Sequence, residues 1–225
     1  MSTLDEQVAE RLAHVRDRIA RAGGVDVTVL PVTKTFGIDA CWAAHRAGCT
    51  AVGENYAQEV AAKLGDTITA IGDPFGVHFI GQLQTNKVRM LAPIVSVYET
   101  VDRASLVAEL AKRVPGARVL LQVSTVGEEG KGGCPLADVP TLFDTAGAAG
   151  LTVEGLMTVG PTDGGPEAAR PGFRAVRALL ERLALPVLSM GMTDDLEVAV
   201  QEGSTQVRVG SALFGARPPL STLVR

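Results

Sequence analysis

A regular alternation constrains this chain more than anything else in it. Short β-branched runs and helical stretches follow one another from end to end. The strand candidates are 25–34, 50–53, 77–81, 94–99, 118–124, 152–159, 186–190 and 206–210. Helical segments follow nearly all of them, over 38–46, 55–64, 84–91, 103–113, 139–149, 167–183 and 194–202. A strand, a crossover helix and a second strand make a right-handed unit with a parallel sheet. Eight such units close naturally into an α/β architecture, the (β/α)8 TIM-type barrel, which takes about 250 residues. At 225 residues the chain is close to that size. The alternative, a doubly wound open sheet, is weakened because no G-x-G-x-x-G follows any strand.

An extra helix precedes the barrel. Leu4, Val8, Leu12, Val15 and Ile19 form one stripe, Ser2 or Thr3 can cap it, and Gly23-Gly24 ends it. There is no linker, low-complexity stretch or composition break. Residues 1–225 therefore read as a single domain, with 1–24 as an N-terminal helix packed on the barrel. Pro31 is awkward inside a central strand.

Composition excludes several classes. With 46% hydrophobic and 20% charged residues, the chain can bury enough surface to offset its conformational entropy. A net charge of −4 argues against a nucleic-acid platform. No apolar run reaches the roughly 18 residues of a membrane helix, so no membrane partner is expected. The N-terminus is amphipathic and contains acidic residues, unlike a signal or transit peptide, and a cytoplasmic location is expected. Cys41, Cys49 and Cys134 are odd in number, have no CxxC spacing, and read as small buried hydrophobes. His14, His45 and His78 are scattered, so no metal site is expected.

In a barrel of this kind the chemistry sits at the C-terminal ends of the strands. Among the five lysines, Lys63 and Lys112 read as solvated helix residues, Lys87 begins a helix face, and Lys131 lies in a Gly-rich loop. Only Lys34 lies in a β-branched run, in phase with Leu30 and Val32. If those face the barrel interior, Lys34 loses hydration there, and its neutral amine becomes available for Schiff-base chemistry. The other reading is a strand-end lysine that snorkels to solvent.

The loops after the last two strands read SMGMTDD and VGSALFG. Barrels of this kind often bind phosphate there. Each loop has a glycine and a hydroxyl (Ser189, Thr193, Ser211) that could meet an anion, although ordinary capping would use the same residues. The nearby carboxylates are expected to cap the following helix through Asp194 and Glu197 and to point away. Arg208 lies inside the apolar run VRVG, where an arginine must be buried and paired. A Schiff-base lysine, an anion site and a buried guanidinium together point to pyridoxal 5′-phosphate (PLP).

The segments VTKTFGID, VGENYAQE, HFIGQLQTNK, EGLMTVG and LSMGMTDDLEVAVQEGSTQVRVGSALFGAR resemble the YggS/PROSC family of PLP homeostasis proteins from about Val27 to Arg217. The resemblance implies a barrel like the N-terminal domain of alanine racemase. It implies PLP as a Schiff base on Lys34, and phosphate contacts from Ser189, Thr193, Gly210 and Ser211. It also implies Arg208 facing the pyridine nitrogen and Asn55 near the ring hydroxyl. Family members have no established turnover, and no residue is assigned a catalytic role. They are thought to buffer PLP or deliver it, possible recipients being PLP-dependent apoenzymes in transient contact. Two departures stand out. GMT replaces the commoner GMS, which keeps the hydroxyl at Thr193. Ser124 stands where the family commonly has Asn, while Glu128, Lys131 and Gly133 keep the pattern.

A guanidinium would leave the pyridine nitrogen unprotonated and PLP a poor electron sink. Racemisation also needs a second acid/base on the opposite face. The racemases take theirs from a tyrosine of a second domain, for which this chain has no residues left. A slow amino-acid racemase is therefore the alternative, and an aldolase acting through Lys34 on a phosphosugar a more distant one. Lys87 and Lys131, by their loop positions, are candidates for a second, transient PLP linkage. With no large apolar helix face expected to be exposed, the chain reads as a monomer.

Overall fold

In a computed structural model of the chain, the structure describes residues 2–71, 75–128 and 130–216. Arg217, where the motif resemblance ends, and the rest of the expected domain to residue 225 lie outside the described residues. The chain opens with α1 (Leu4–Arg21), whose Thr3 cap bonds the Glu6 N–H while Glu6 reaches back to the Thr3 N–H. Val8, Leu12, Val15 and Ile19 are buried along one side, whereas Leu4 is 38% exposed and off the stripe.

The strands are β1 (Thr28–Pro31), β2 (Ala51–Glu54), β3 (Gly76–Phe79), β4 (Val97–Val101), β5 (Arg118–Ser124), β6 (Cys134–Pro135), β7 (Thr152–Thr158), β8 (Val187–Ser189) and β9 (Gln206–Val209). The helices are α2 (Ile38–Arg46), α3 (Ala57–Ile71), α4 (Val88–Leu91), α5 (Ala104–Arg113), α6 (Val139–Ala148), α7 (Arg170–Arg182), α8 (Leu196–Gln201) and α9 (Ser211–Phe214). Eight strands pair in parallel in the order β1-β9-β8-β7-β5-β4-β3-β2, and β6 pairs only with β5. A bridge between Val32 and Gly53, with the Thr33 N–H on the Gly53 carbonyl at 3.0 Å, joins the two ends. The result is a (β/α)8 barrel with an N-terminal helix, as the alternation predicts.

Pro31 is tolerated for a local reason. The N–H groups of Thr28 and Val32 point to β9, and that of Thr33 points to β2. The missing N–H of Pro31 therefore faces the β1–β2 seam, where pairing amounts to one bridge.

Several predicted boundaries move. The first strand ends at Pro31 and its bridge at Val32, so Lys34 lies in the turn beyond it. The third helix starts at Ala57 and runs to Ile71. The next begins as a 3-10 turn (Thr85–Lys87), and β4 is shifted to Val97–Val101. A 3-10 turn (Pro166–Ala169) also precedes α7. β6, in the Gly-rich loop after β5, was not expected.

The main core lies between the barrel wall and the helices. A small apolar cluster of Val97, Leu120 and Met157, with Val159 and Val187 against it, packs separately from that core. Buried Glu99, Ser189, Gln206 and Arg208 form a polar group joined by hydrogen bonds. The three cysteines are free and buried. Among the described residues no helix is long and apolar enough to cross a membrane.

Candidate functional site

The strand ends open into a cavity of about 400 Å³ lined by Lys34, Asn55, Thr193, Arg208, Gly210 and Ser211, with Val32, Phe36, Ile80, Met157 and Met192 among the apolar walls. Six of the seven residues expected at a cofactor thus come together, and the volume lies in the ordinary range for a small-molecule site. The seventh, Ser189, is fully buried and does not line the cavity. Its hydroxyl donates to Glu99 Oε2 at 2.7 Å and accepts from Arg208 Nη1 at 2.8 Å and Gln206 Nε2 at 3.0 Å. Ser189 supports Arg208 from behind.

The turn carrying Lys34 is held by a buried charge cluster. Lys63 Nζ donates to the Thr33 carbonyl at 2.9 Å and the Phe36 carbonyl at 3.0 Å, bracketing Lys34 on both sides. The same ammonium lies 2.6 Å from Glu54 and 3.0 Å from Glu59. Glu59 accepts the Thr35 N–H at 2.7 Å, and the Thr33 hydroxyl donates to Glu54 at 2.5 Å. Thr35 adopts a left-handed backbone (φ 66°), which costs a β-branched residue energy that this cluster must supply. Lys63 was expected to be solvated on its helix; its side chain is only 8% exposed. Burial pulls its pKa down, but the charge and hydrogen bond of Glu54 outweigh that, and the ammonium is held above its ordinary value. Sequence reasoning missed that Lys63, Glu54 and Glu59 hold the turn that carries Lys34.

Arg208 occupies the buried position expected of it. Nη1 bonds Ser189 and Nη2 donates to the Thr158 carbonyl, both at 2.8 Å. Behind it Glu99, fully buried, accepts from Ser189 and Gln206 and lies 2.6 Å from His78 Nδ1. Burial pushes the Glu99 carboxyl up. The His78 hydrogen bond and charge, the Arg208 charge and the Ser189 bond outweigh it, and Glu99 is held below the usual carboxylate range. Burial also lowers the Arg208 guanidinium against the upward pull of Glu99 and Asp195.

The loop after β8 is braced on β9 by the Arg208 N–H on the Gly191 carbonyl at 2.9 Å. Gly191 has φ 94°, and a Cβ there would overlap Ala199 of α8, so only glycine makes this approach. The expected cap by Asp194 and Glu197 is not formed. The helix starts after Asp195, which accepts the Met192 N–H at 2.6 Å. Asp194 lines the cavity, while Glu197 is held by Arg18. On the opposite wall Gly81 lies so close to the Asn55 carbonyl that a Cβ would overlap it, which fixes the loop carrying Asn55. Asn55 Oδ1 is buried with no hydrogen-bond partner.

Lys87 and Lys131 line other, smaller cavities. Lys87 shares one of about 130 Å³ with Asn55, Tyr56, Gln82 and Gln84. Lys131 lines one of about 80 Å³, donates to the Gly160 carbonyl at 2.9 Å and lies 2.6 Å from Glu128, whose carboxyl is drawn down to about 2 by Lys131 and by the N–H and hydroxyl of Thr162.

The family model described as alanine racemase, N-terminal domain, matches residues 6–218. A pyridoxal phosphate homeostasis protein of Pseudomonas aeruginosa is 38% identical over 96% of this chain and 97% of its own. The chain belongs to the pyridoxal phosphate homeostasis protein family. Another member, from Aquifex aeolicus, is also 38% identical, over 92% of this chain and 97% of its own. Among solved structures, PipY of Synechococcus elongatus with PLP bound superposes with a TM-score of 0.78 at 29% identity, covering 92% of this chain and all of PipY.

Proposed function

We propose that this protein binds PLP covalently through Lys34 and serves intracellular PLP homeostasis, holding the cofactor and passing it to PLP-dependent apoenzymes in transient contacts. The convergence of an amine, a buried guanidinium and two hydroxyl-bearing loops on one cavity carries this reading. The names of its relatives and the PLP bound in PipY support it.

The donor set fits the cofactor. The Lys34 amine would condense with the PLP aldehyde, forming a C=N bond and releasing one water. Thr193, Gly210 and Ser211 would hold the phosphate through hydroxyl and backbone N–H groups. The orphaned acceptor of Asn55 would meet the ring hydroxyl. Arg208, clamped by Ser189 and Thr158, would face the ring nitrogen. When bound, PLP supplies an electrophilic carbonyl carbon and an electron-withdrawing ring. Arg208 keeps its proton, so the ring nitrogen gains none and electron withdrawal stays weak. That arrangement suits storage better than turnover, and no residue is assigned a catalytic role. We take residues 1–225 as one domain, acting as a monomer in the cytoplasm.

The test is a visible-absorbance titration with PLP. Wild type is expected to shift the absorbance band of PLP to that of a lysine imine, and Lys34→Ala to leave the band of free PLP in place. A wild type that leaves the free PLP band unshifted would overturn the reading. The racemase alternative predicts Lys34-dependent interconversion of alanine or serine enantiomers, read by chiral chromatography.

A further inference from the structure

The N-terminal helix touches both loops assigned to the phosphate. Arg18 donates from Nη2 to the Thr193 carbonyl at 2.8 Å, and grips Glu197 of α8 through Nε and Nη2 at 2.7 and 2.8 Å. Two helical turns earlier, Arg11 donates from Nη1 to the Leu213 carbonyl of α9 at 3.0 Å. One arginine therefore reaches the loop after β8, and the other the segment after β9. We propose that α1 is the positioning element of the anion cradle, and that Arg11 and Arg18 set the spacing and orientation of its two loops.

Three further observations support this. The loop after β8 is already held to β9, the strand that leads into the second loop, by the Arg208 N–H on the Gly191 carbonyl. Two more ties from a rigid helix convert that single link into a braced frame. The Thr193 carbonyl, engaged by Arg18, is kept from turning toward an anion that it would repel. The helix is itself firmly seated. Val8, Leu12, Val15 and Ile19 are buried, and a Cβ on Gly24 would press on Ile19 and on Val200 of α8. A guanidinium suits Arg18 because its planar fork serves a carboxylate and a carbonyl at once, which an ammonium does less well.

This inference rests on the PLP reading, and the experiment separates the two. Equilibrium dialysis measures PLP and pyridoxal, which lacks the phosphate, on wild type, Arg18→Gln, Arg18→Lys and Arg11→Met. Arg46→Ala serves as a control, because it removes the ion pair to Asp5 on α1 without touching either loop. Arg18→Gln and Arg11→Met are each expected to bind PLP about tenfold more weakly, as the tie to one loop carbonyl is lost, and Arg18→Lys to fall between them and wild type. Pyridoxal affinity should stay within about twofold by the same scale, and Arg46→Ala should change neither. Equal losses for PLP and pyridoxal, or unchanged PLP affinity, would overturn the assignment while leaving the PLP reading intact. A wild type that binds neither compound would remove both.

Discussion

Lys63 illustrates how much one residue can carry here. It bridges two backbone carbonyls on either side of Lys34 and two carboxylates on its own flank. Removing one partner of a buried pair typically costs about 3–5 kcal/mol, because the other charge stays buried. Lys63→Met should therefore lower the unfolding free energy by that order, read as a lower denaturant midpoint at unchanged m-value, and slow PLP capture by Lys34. The double variant Lys63→Met, Glu54→Leu should recover much of the stability but not the capture rate. The role of Lys63 was not legible in the sequence. A lysine among polar helix positions is buried only if the facing turn offers acceptors, and those belong to residues about a strand and a helix away. Arg208 was legible as a buried arginine, but its support was not, since Glu99 and Ser189 come from distant strands.

Glu99 also makes a pH prediction. Its folded carboxyl lies below the ordinary value of about 4.3, so the stability it contributes is fully present above that value. It is lost as pH falls through the lowered folded value. Chemical denaturation against pH should show wild-type stability falling below about pH 4. Glu99→Gln should be less stable at neutral pH and flatter on that acid limb. Equal acid slopes for the two proteins would remove Glu99 from the account.

At the scale of elements, the close approaches of glycine fix where the loops run. Gly81, whose carbonyl accepts from the Thr100 hydroxyl at 2.6 Å, leaves no room for a Cβ against the Asn55 backbone. Gly81→Ala should destabilise the fold by about 1–3 kcal/mol, the usual cost of overpacking, and weaken PLP binding by displacing Asn55. Thermal melts with and without PLP check both. Most helices and strands could be read from periodicity, because each buries one face in a repeating unit. The exceptions have local causes. The first strand stops early because Lys63 and the Glu59 carboxylate bend residues 33–36 into a turn. β6 is two residues long and carries no period to detect. The expected cap of α8 does not form: Arg18, on a helix remote in sequence, holds Glu197, and Asp195 accepts the Met192 N–H before the helix begins.

For the whole molecule, the barrel brings the ends of β1, β2, β7, β8 and β9 to one cavity although they span most of the chain. That closure is what sequence order alone implies, once eight parallel units are recognised. Light scattering should return a mass near 23.4 kDa, the monomer, with and without PLP. A mass twice as large would contradict the monomer.

The central claim is that Lys34 is the residue that takes PLP. Borohydride reduction of PLP-loaded protein, followed by digestion and mass spectrometry, tests it most directly. The account predicts a reduced PLP adduct on the Lys34 peptide and loss of the principal adduct in Lys34→Ala. An unlabelled Lys34, or undiminished labelling of Lys34→Ala through Lys87 or Lys131, would contradict it.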